Sequence, residues 1–182
     1  MKAKKQKEWF KIIAPKYFGE KEIGKTLTAE SKSLIGKRLT LSAIELTDNF
    51  NKYYLKLTFK VSQVNGQMAF TDFDSSECLR DYISRMVLRR VRRIDTVQDL
   101  ITKDGKKVRV KGLVIIGRRI KSTIQTKVSN KVKDILKSNV ENDTLEGFVN
   151  KMISDEIKNE ILEEVRSTYP LRNFEIRKLQ VI

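Results

Sequence analysis

Arg85, Arg89, Arg90, Arg92 and Arg93 put five guanidinium groups into nine consecutive positions, and Arg118, Arg119 and Lys121 add three more cations within four. A guanidinium is planar, stays charged, forks two N–H donors onto phosphate and stacks on nucleobases. On a helical wheel Arg85, Arg89, Arg92 and Arg93 fall opposite Leu79, Ile83, Met86, Val87, Val91 and Ile94, with Arg90 caught inside the apolar arc. A solvated face, helped by cations at a helix C-terminus, explains one or two of these arginines but not five in nine positions. Neither an RNP-type aromatic pair nor zinc-finger spacing accompanies them, so the pattern points to phosphate and shape reading of RNA rather than base readout. Lys4, Lys5 and Lys7 at the basic N-terminus, together with Lys25, complete the candidate RNA contacts.

Three other constellations invite chemistry and do not carry it. Gly19-Glu-Lys-Glu-Ile-Gly24-Lys25-Thr26 has the spacing of a nucleotide-binding P-loop. That loop works between a buried parallel strand and a helix, where backbone N–H groups converge on phosphate. Here Ile12-Ile13-Ala14-Pro15 is too short and too distant to be that strand, and Glu20 and Glu22 would oppose the phosphate's charge. Asp72, Asp74 and Glu77 could hold a hard cation, but a strand end followed by a helix capped by Asp74 and Glu77 accounts for them without one. Cys78 stands alone and reads as a buried or half-buried structural thiol. With no histidine in the chain, Ser-His-Asp and Cys-His catalysis, His-ligated zinc and imidazole proton transfer are all excluded. We therefore expect no catalytic residue, no metal ligand and no cofactor.

The whole chain supports a polyanion partner. Its 182 residues hold 38 Lys and Arg against 23 Asp and Glu, a formal charge of +15. That charge is unevenly placed: +7 over residues 1–40, +13 over 80–137, and −5 over 138–166. Half of the 18 basic residues in the +13 block are arginine. Such polarisation exceeds what solubility needs and is the electrostatic footprint of nucleic acid. The hydrophobic content of 40% is enough to close a core, so disorder throughout is not expected. A single cysteine fits a reducing compartment. No apolar run approaches the length of a membrane span, and no apolar segment follows the basic start, so a cytoplasmic protein without a membrane partner is expected.

Behind these residues the elements alternate. Residues 1–37, basic and weakly periodic, read as an extended arm, and 38–182 as a single α+β body. Leu39 and Leu41 predict a strand, with a phase slip near Ala43 read as a bulge. Leu55, Leu57, Phe59 and Val61 alternate with polar residues, and Asn65-Gly66 marks a hairpin into Met68–Thr71. A helix is predicted from Asp74 to about Ile94, carrying the arginines. Leu100–Thr102, the turn Lys103-Asp104-Gly105 and Val108–Val110 predict a second hairpin, continued through Val114 and Ile116. Helices follow from about Ser122, from Asp143-Thr144, and past Ser154, with a last strand at Phe174–Arg177. Hairpins interleaved with three to four helices imply an antiparallel α+β fold, either an open sheet or a partly closed barrel.

Seven blocks, in order along nearly the whole chain, resemble a known family. They are Trp9–Pro15 with Phe18, Ile23–Thr26, Leu34–Arg38, Arg80-Asp81-Tyr82 with Ser84 and the arginines ending at Ile94-Asp95, Thr102–Gly105 with Val108–Lys111, Tyr169–Arg172, and Glu175–Lys178. Together they resemble the archaeal and eukaryotic small-subunit ribosomal protein family S-three-a-e, also called e-S-one. The absence of a long C-terminal extension looks archaeal. The resemblance implies a structural constituent of the small ribosomal subunit, on the platform near the messenger exit and the 3′ end of the small-subunit RNA. Its partners would be ribosomal RNA and neighbouring ribosomal proteins, with messenger RNA near the exit left open, and it would catalyse no reaction. A non-ribosomal RNA-binding protein or RNA chaperone is the alternative.

Overall fold

The cleanest alternation in the chain becomes a strand whose Leu55, Leu57, Phe59 and Val61 are buried while Lys56 and Lys60 face water. In a strand successive side chains take opposite faces, so this pattern commits one face to a core. The structure, a computed structural model, describes residues 7–182, and these hold eight strands and five α-helices. The mixed α+β class is as expected, and the sheet to which the strands belong is open rather than closed into a barrel. Two compact units divide the chain between Ser76 and Glu77.

The first unit is built from hairpins. Strands β1 (Glu8–Ile13) and β2 (Glu22–Thr28) pair antiparallel. Strand β3 (Arg38–Ser42) pairs antiparallel with β4 (Leu55–Asn65), and β4 turns through Gly66, at φ +57, into β5 (Met68–Cys78). Strand β1 lies parallel to β5, which departs from the antiparallel expectation. The phase slip at Ala43 is not a bulge. It is the start of helix α1 (Ala43–Thr47), which Ser42 and Glu45 close with a capping box.

Residues 8–34, expected as part of an extended arm, hold strands β1 and β2 and two short 3-10 helices, Lys16–Phe18 and Ser31–Leu34. Phe10 and Ile12 alternate with exposed Trp9 and Lys11, and the two buried residues form a core cluster with Leu34, Val61 and Ala69. The reading as an arm missed this because β1 is only six residues long, and its partner β2 buries only Thr26. The expectations placed on Lys4 and Lys5 lie outside the described residues.

The second unit begins with the last two residues of β5. Helix α2 (Arg80–Met86) follows, then β6 (Arg92–Ile101) and β7 (Lys107–Ile116). Helices α3 (Ser122–Asn142), α4 (Leu145–Ile153) and α5 (Glu156–Arg166) precede β8 (Asn173–Val181), which pairs antiparallel with β7. Val128, Val132, Leu136 and Val140 of α3, Phe148 and Val149 of α4, and Ile157, Ile161 and Val165 of α5 are buried, as helical spacing predicts. Thr144 caps α4 by accepting a hydrogen bond from the Gly147 N–H at 3.2 Å. In β7 the side of the strand bearing Val108, Val110, Val114 and Ile116 is buried throughout.

The long helix expected from Asp74 to Ile94 does not exist. β5 runs on through Asp74, which pairs with Arg38 at 3.0 Å instead of capping a helix. Only Arg80–Met86 is helical, and β6 takes over at Arg92. Ile94, Thr96, Gln98 and Leu100 alternate along β6, a period-two signal that the helical spacing of Ile83, Met86 and Val87 obscured.

Candidate nucleic-acid interface

A register brings the arginines together. Arg92 of β6 lies opposite Ile116 of β7, so the residues before Arg92 and those after Ile116 leave the hairpin at the same end. Arg89, Arg90, Gly117, Arg118 and Arg119 therefore line one cavity of about 560 Å³. All four arginines are exposed, and none has a carboxylate partner among the described residues. Four unneutralised guanidinium groups around one concavity repel one another, an arrangement that an anionic ligand relieves.

Backbone and neighbours hold this end in shape. The Val91 N–H donates to the Leu88 carbonyl at 3.2 Å, closing a turn whose third residue, Arg90, sits at φ +73. That left-handed position favours glycine, and an L-residue there costs about 1–2 kcal/mol. On the other side, Gln125 in the first turn of α3 accepts from Arg92 Nε and Nη2 at 3.1 and 2.9 Å and donates to the Ile120 carbonyl at 2.9 Å. Gln125 thus ties the start of β6 to the 117–121 loop. Helix α3 opens at Lys121 without a side-chain cap and with no acidic residue in its first turn, so its positive end adds to the same field.

The remaining expected contacts scatter. Arg85 is exposed in the last turn of α2, away from any shared helical face with Arg89 or Arg93. Arg92 and Arg93, successive in a strand, point to opposite faces, and Arg93 forks onto Asp95 at 2.9 and 2.8 Å. The single arginine face of a long helix is thereby corrected: a turn, a strand start and a loop carry these arginines. Lys121 is exposed at the start of α3. Lys7 and Lys25 belong to the first unit, and Lys25 pairs with Glu22 at 3.6 Å. Sequence reading missed Gln125, whose spacing from Lys121 gave no hint of its reach to Arg92.

The P-loop pattern is taken up by ordinary secondary structure. Gly24, Lys25 and Thr26 lie in β2 against Ile12, Lys11 and Phe10, and Thr26 Oγ1 accepts from Lys37 Nζ at 2.7 Å. The backbone there makes a ladder with β1 and leads into only a four-residue 3-10 helix, so it does not form the phosphate cradle of a P-loop. Among the described residues no group of three or more acidic or thiol side chains is placed to hold a metal ion. Cys78 is buried and its Sγ donates to the Ile176 carbonyl at 3.2 Å, the structural thiol expected. No helix among the described residues is long and apolar enough to cross a membrane.

Comparison with known proteins places the chain among ribosomal proteins. The model of the Ribosomal S3Ae family matches residues 2–182. A small ribosomal subunit protein eS1 from Methanothrix thermoacetophila is 34% identical over 178 residues, 98% of this chain and 84% of that protein. Proteins of the same description from Methanopyrus kandleri and Saccharolobus islandicus are each 33% identical, covering 98% of this chain and 86% of theirs.

Proposed function

The chain belongs to the Ribosomal S3Ae family, whose members are structural proteins of the ribosome and not enzymes, and from that premise we propose that it anchors small-subunit ribosomal RNA through the arginine-lined end of the β6–β7 hairpin. The observation that carries this reading is the convergence of Arg89, Arg90, Arg118 and Arg119 on one cavity with no carboxylate partner among the described residues. Phosphate contacts of this kind position a protein on folded RNA without reading its sequence. The family resemblance supports a place on the platform near the messenger exit, where neighbouring ribosomal proteins complete the surroundings.

Two measurements test the proposal. The native protein should sediment with small subunits. A protein with Arg89→Gln and Arg118→Gln should bind a small-subunit ribosomal RNA transcript more weakly, with a salt slope shallower by roughly 1.4–1.8 for two lost phosphate contacts. Unchanged affinity and slope in that variant would leave the hairpin end as a solvated surface.

A further inference from the structure

A second concentration of cations lies on α2 and strands β6, β7 and β8 rather than in the segments beyond the hairpin's end. Arg80, Arg93, Lys111, Arg177 and Lys178 line a separate cavity of about 480 Å³, a size that accommodates a small ligand or a piece of a polymer. Among the described residues the one carboxylate on its wall is Glu77, which pairs with Lys178 at 3.6 Å, and Asp95 engages Arg93 from beside it. Arg80, Lys111 and Arg177 have no carboxylate partner among the described residues. Buried Cys78 and Ile83 form its apolar part.

Two features of the backbone concentrate these charges against the fold's own interest. Lys111 and Lys178 stand directly opposite each other on β7 and β8, a like-charge cross-strand pair that weakens a sheet. The register then slips, so that Gly112 faces Ile176 and Arg177 is left over as a bulge. In a regular strand Arg177 and Lys178 would point to opposite faces; the bulge lets both line the same cavity. Helix α2 is held beside them by Tyr82 Oη donating to Glu175 at 3.0 Å and Asn173 Nδ2 to Met86 Sδ at 3.0 Å, which sets Arg80 at the rim.

We propose that this cavity is a second RNA phosphate site, so that the β6–β7–β8 sheet takes phosphates on its strands as well as at the hairpin end. Arg92 and Arg93, adjacent in β6, face the two different surroundings: Arg92 joins Gln125 and Arg93 lines the second cavity. The inference rests on the proposed RNA-binding role and adds residues that the sequence did not single out as contacts: Arg80, Lys111, Arg177 and Lys178.

The full-length protein and a small-subunit ribosomal RNA transcript test it, with filter binding between 50 and 200 mM salt. Lys111→Gln with Arg177→Gln should make the salt slope shallower by roughly 1.4–1.8, and each lost contact should reduce the affinity change across that range by roughly threefold. Combining it with Arg89→Gln and Arg118→Gln should add the two losses. Arg80→Gln, on the exposed start of α2 and outside the sheet, should lower the slope by about half as much, and serves if the sheet variant does not fold. Loss on changing Arg89 and Arg118 with none on changing Lys111, Arg177 or Arg80 would overturn the second site while leaving the proposed function standing. A cavity that kept RNA affinity but lost binding of a poly-glutamate peptide on Lys111→Gln with Arg177→Gln would be a protein-docking site, which also overturns it. No RNA binding by the unaltered protein would overturn both readings.

Discussion

Two cation clusters, one on β1–β3 and their connections and one at the end of the β6–β7 hairpin, are held differently. In the first, Lys11 and Lys25 both pair with Glu22, at 3.2 and 3.6 Å, Lys21 pairs with Asp48 at 3.0 Å, and Arg38 with Asp74 at 3.0 Å. In the second, Arg89, Arg90, Arg118 and Arg119 crowd one cavity with no carboxylate in reach among the described residues. Counting charges by segment ranks both regions as basic. The pairing separates them: exposed ion pairs contribute little to stability and leave little net field, whereas cations the fold leaves unpaired are available to a ligand.

The scaffold behind the unpaired set is the place to break that contrast most severely. A Cβ added at Gly112 would come within 2.6 Å of Thr96 Oγ1 and 3.1 Å of the Phe174 ring. Gly112→Val should therefore cost about 2–3 kcal/mol through overpacking. Thermal melting should show a midpoint lower by roughly 4–12 °C, and RNA affinity should fall with it as the β6–β7 register is disturbed.

Removing equal charge from each region tests the contrast directly. Arg118→Gln with Arg119→Gln should make the salt slope of RNA binding shallower by roughly 1.4–1.8. Lys11→Gln with Lys25→Gln, the same loss of two charges, should leave the slope nearly unchanged. Equal effects from the two pairs would mean that net charge, not pairing, governs RNA affinity.

Arg90 should separate stability from binding. Arg90→Gly relieves the left-handed strain and should raise stability by up to about 1 kcal/mol in chemical denaturation. The same change should weaken RNA binding, because it deletes one of the four guanidinium groups. A variant that lost both stability and binding would show that Arg90 is a structural residue.

Smaller effects are expected from the acidic helices. Glu163 and Glu164 are exposed on α5, and the α4–α5 segment suits a phosphate backbone poorly. Glu163→Lys with Glu164→Lys should change RNA affinity by about twofold at most, in line with ordinary surface substitutions. Incorporation into reconstituted small subunits should fall by more than that if these carboxylates meet a basic protein neighbour.

The smallest effect belongs to Glu22, whose carboxyl is held below the usual carboxylate range, first by the hydrogen bond from Lys11 and then by the charges of Lys11 and Lys25. A carboxyl with a depressed folded pKa stabilises fully above its unfolded value, about 4.3, and loses that contribution as pH falls through the folded value. Protection of β1 and β2 against hydrogen exchange, taken relative to the intrinsic rate at each pH, should therefore fall slightly only in acid. Glu22→Gln should remove the pH dependence.

Helices α3, α4 and α5 were legible because their signals are local. Val128, Val132 and Ile135 recur at helical spacing, and Thr144 announces the start of α4. Cys78 as a buried thiol and the failure of the P-loop pattern were also readable, the latter from the acidic residues inside it. The long arginine helix was not, because two periodicities overlap: Ile83 and Met86 suit a helix, while Ile94 to Leu100 alternate as a strand. Local spacing cannot say where one ends, since the choice is made by β7 offering Arg92–Ile101 a ladder from Lys107–Ile116.

The division between chain and fold follows from the range of the forces involved. Residue types, charge, capping and helical periodicity act over a few positions, so the amino-acid order alone settled the basic character, the lack of histidine chemistry and the three long helices. Which cations meet was settled only by pairing between distant strands. Arg89 and Arg118 converge because Arg92 registers with Ile116, and Arg177 joins Lys178 because the β7–β8 ladder slips by one residue. Side chains alternate with a period of two along a strand, so a one-residue change in register carries a charge from one face to the other.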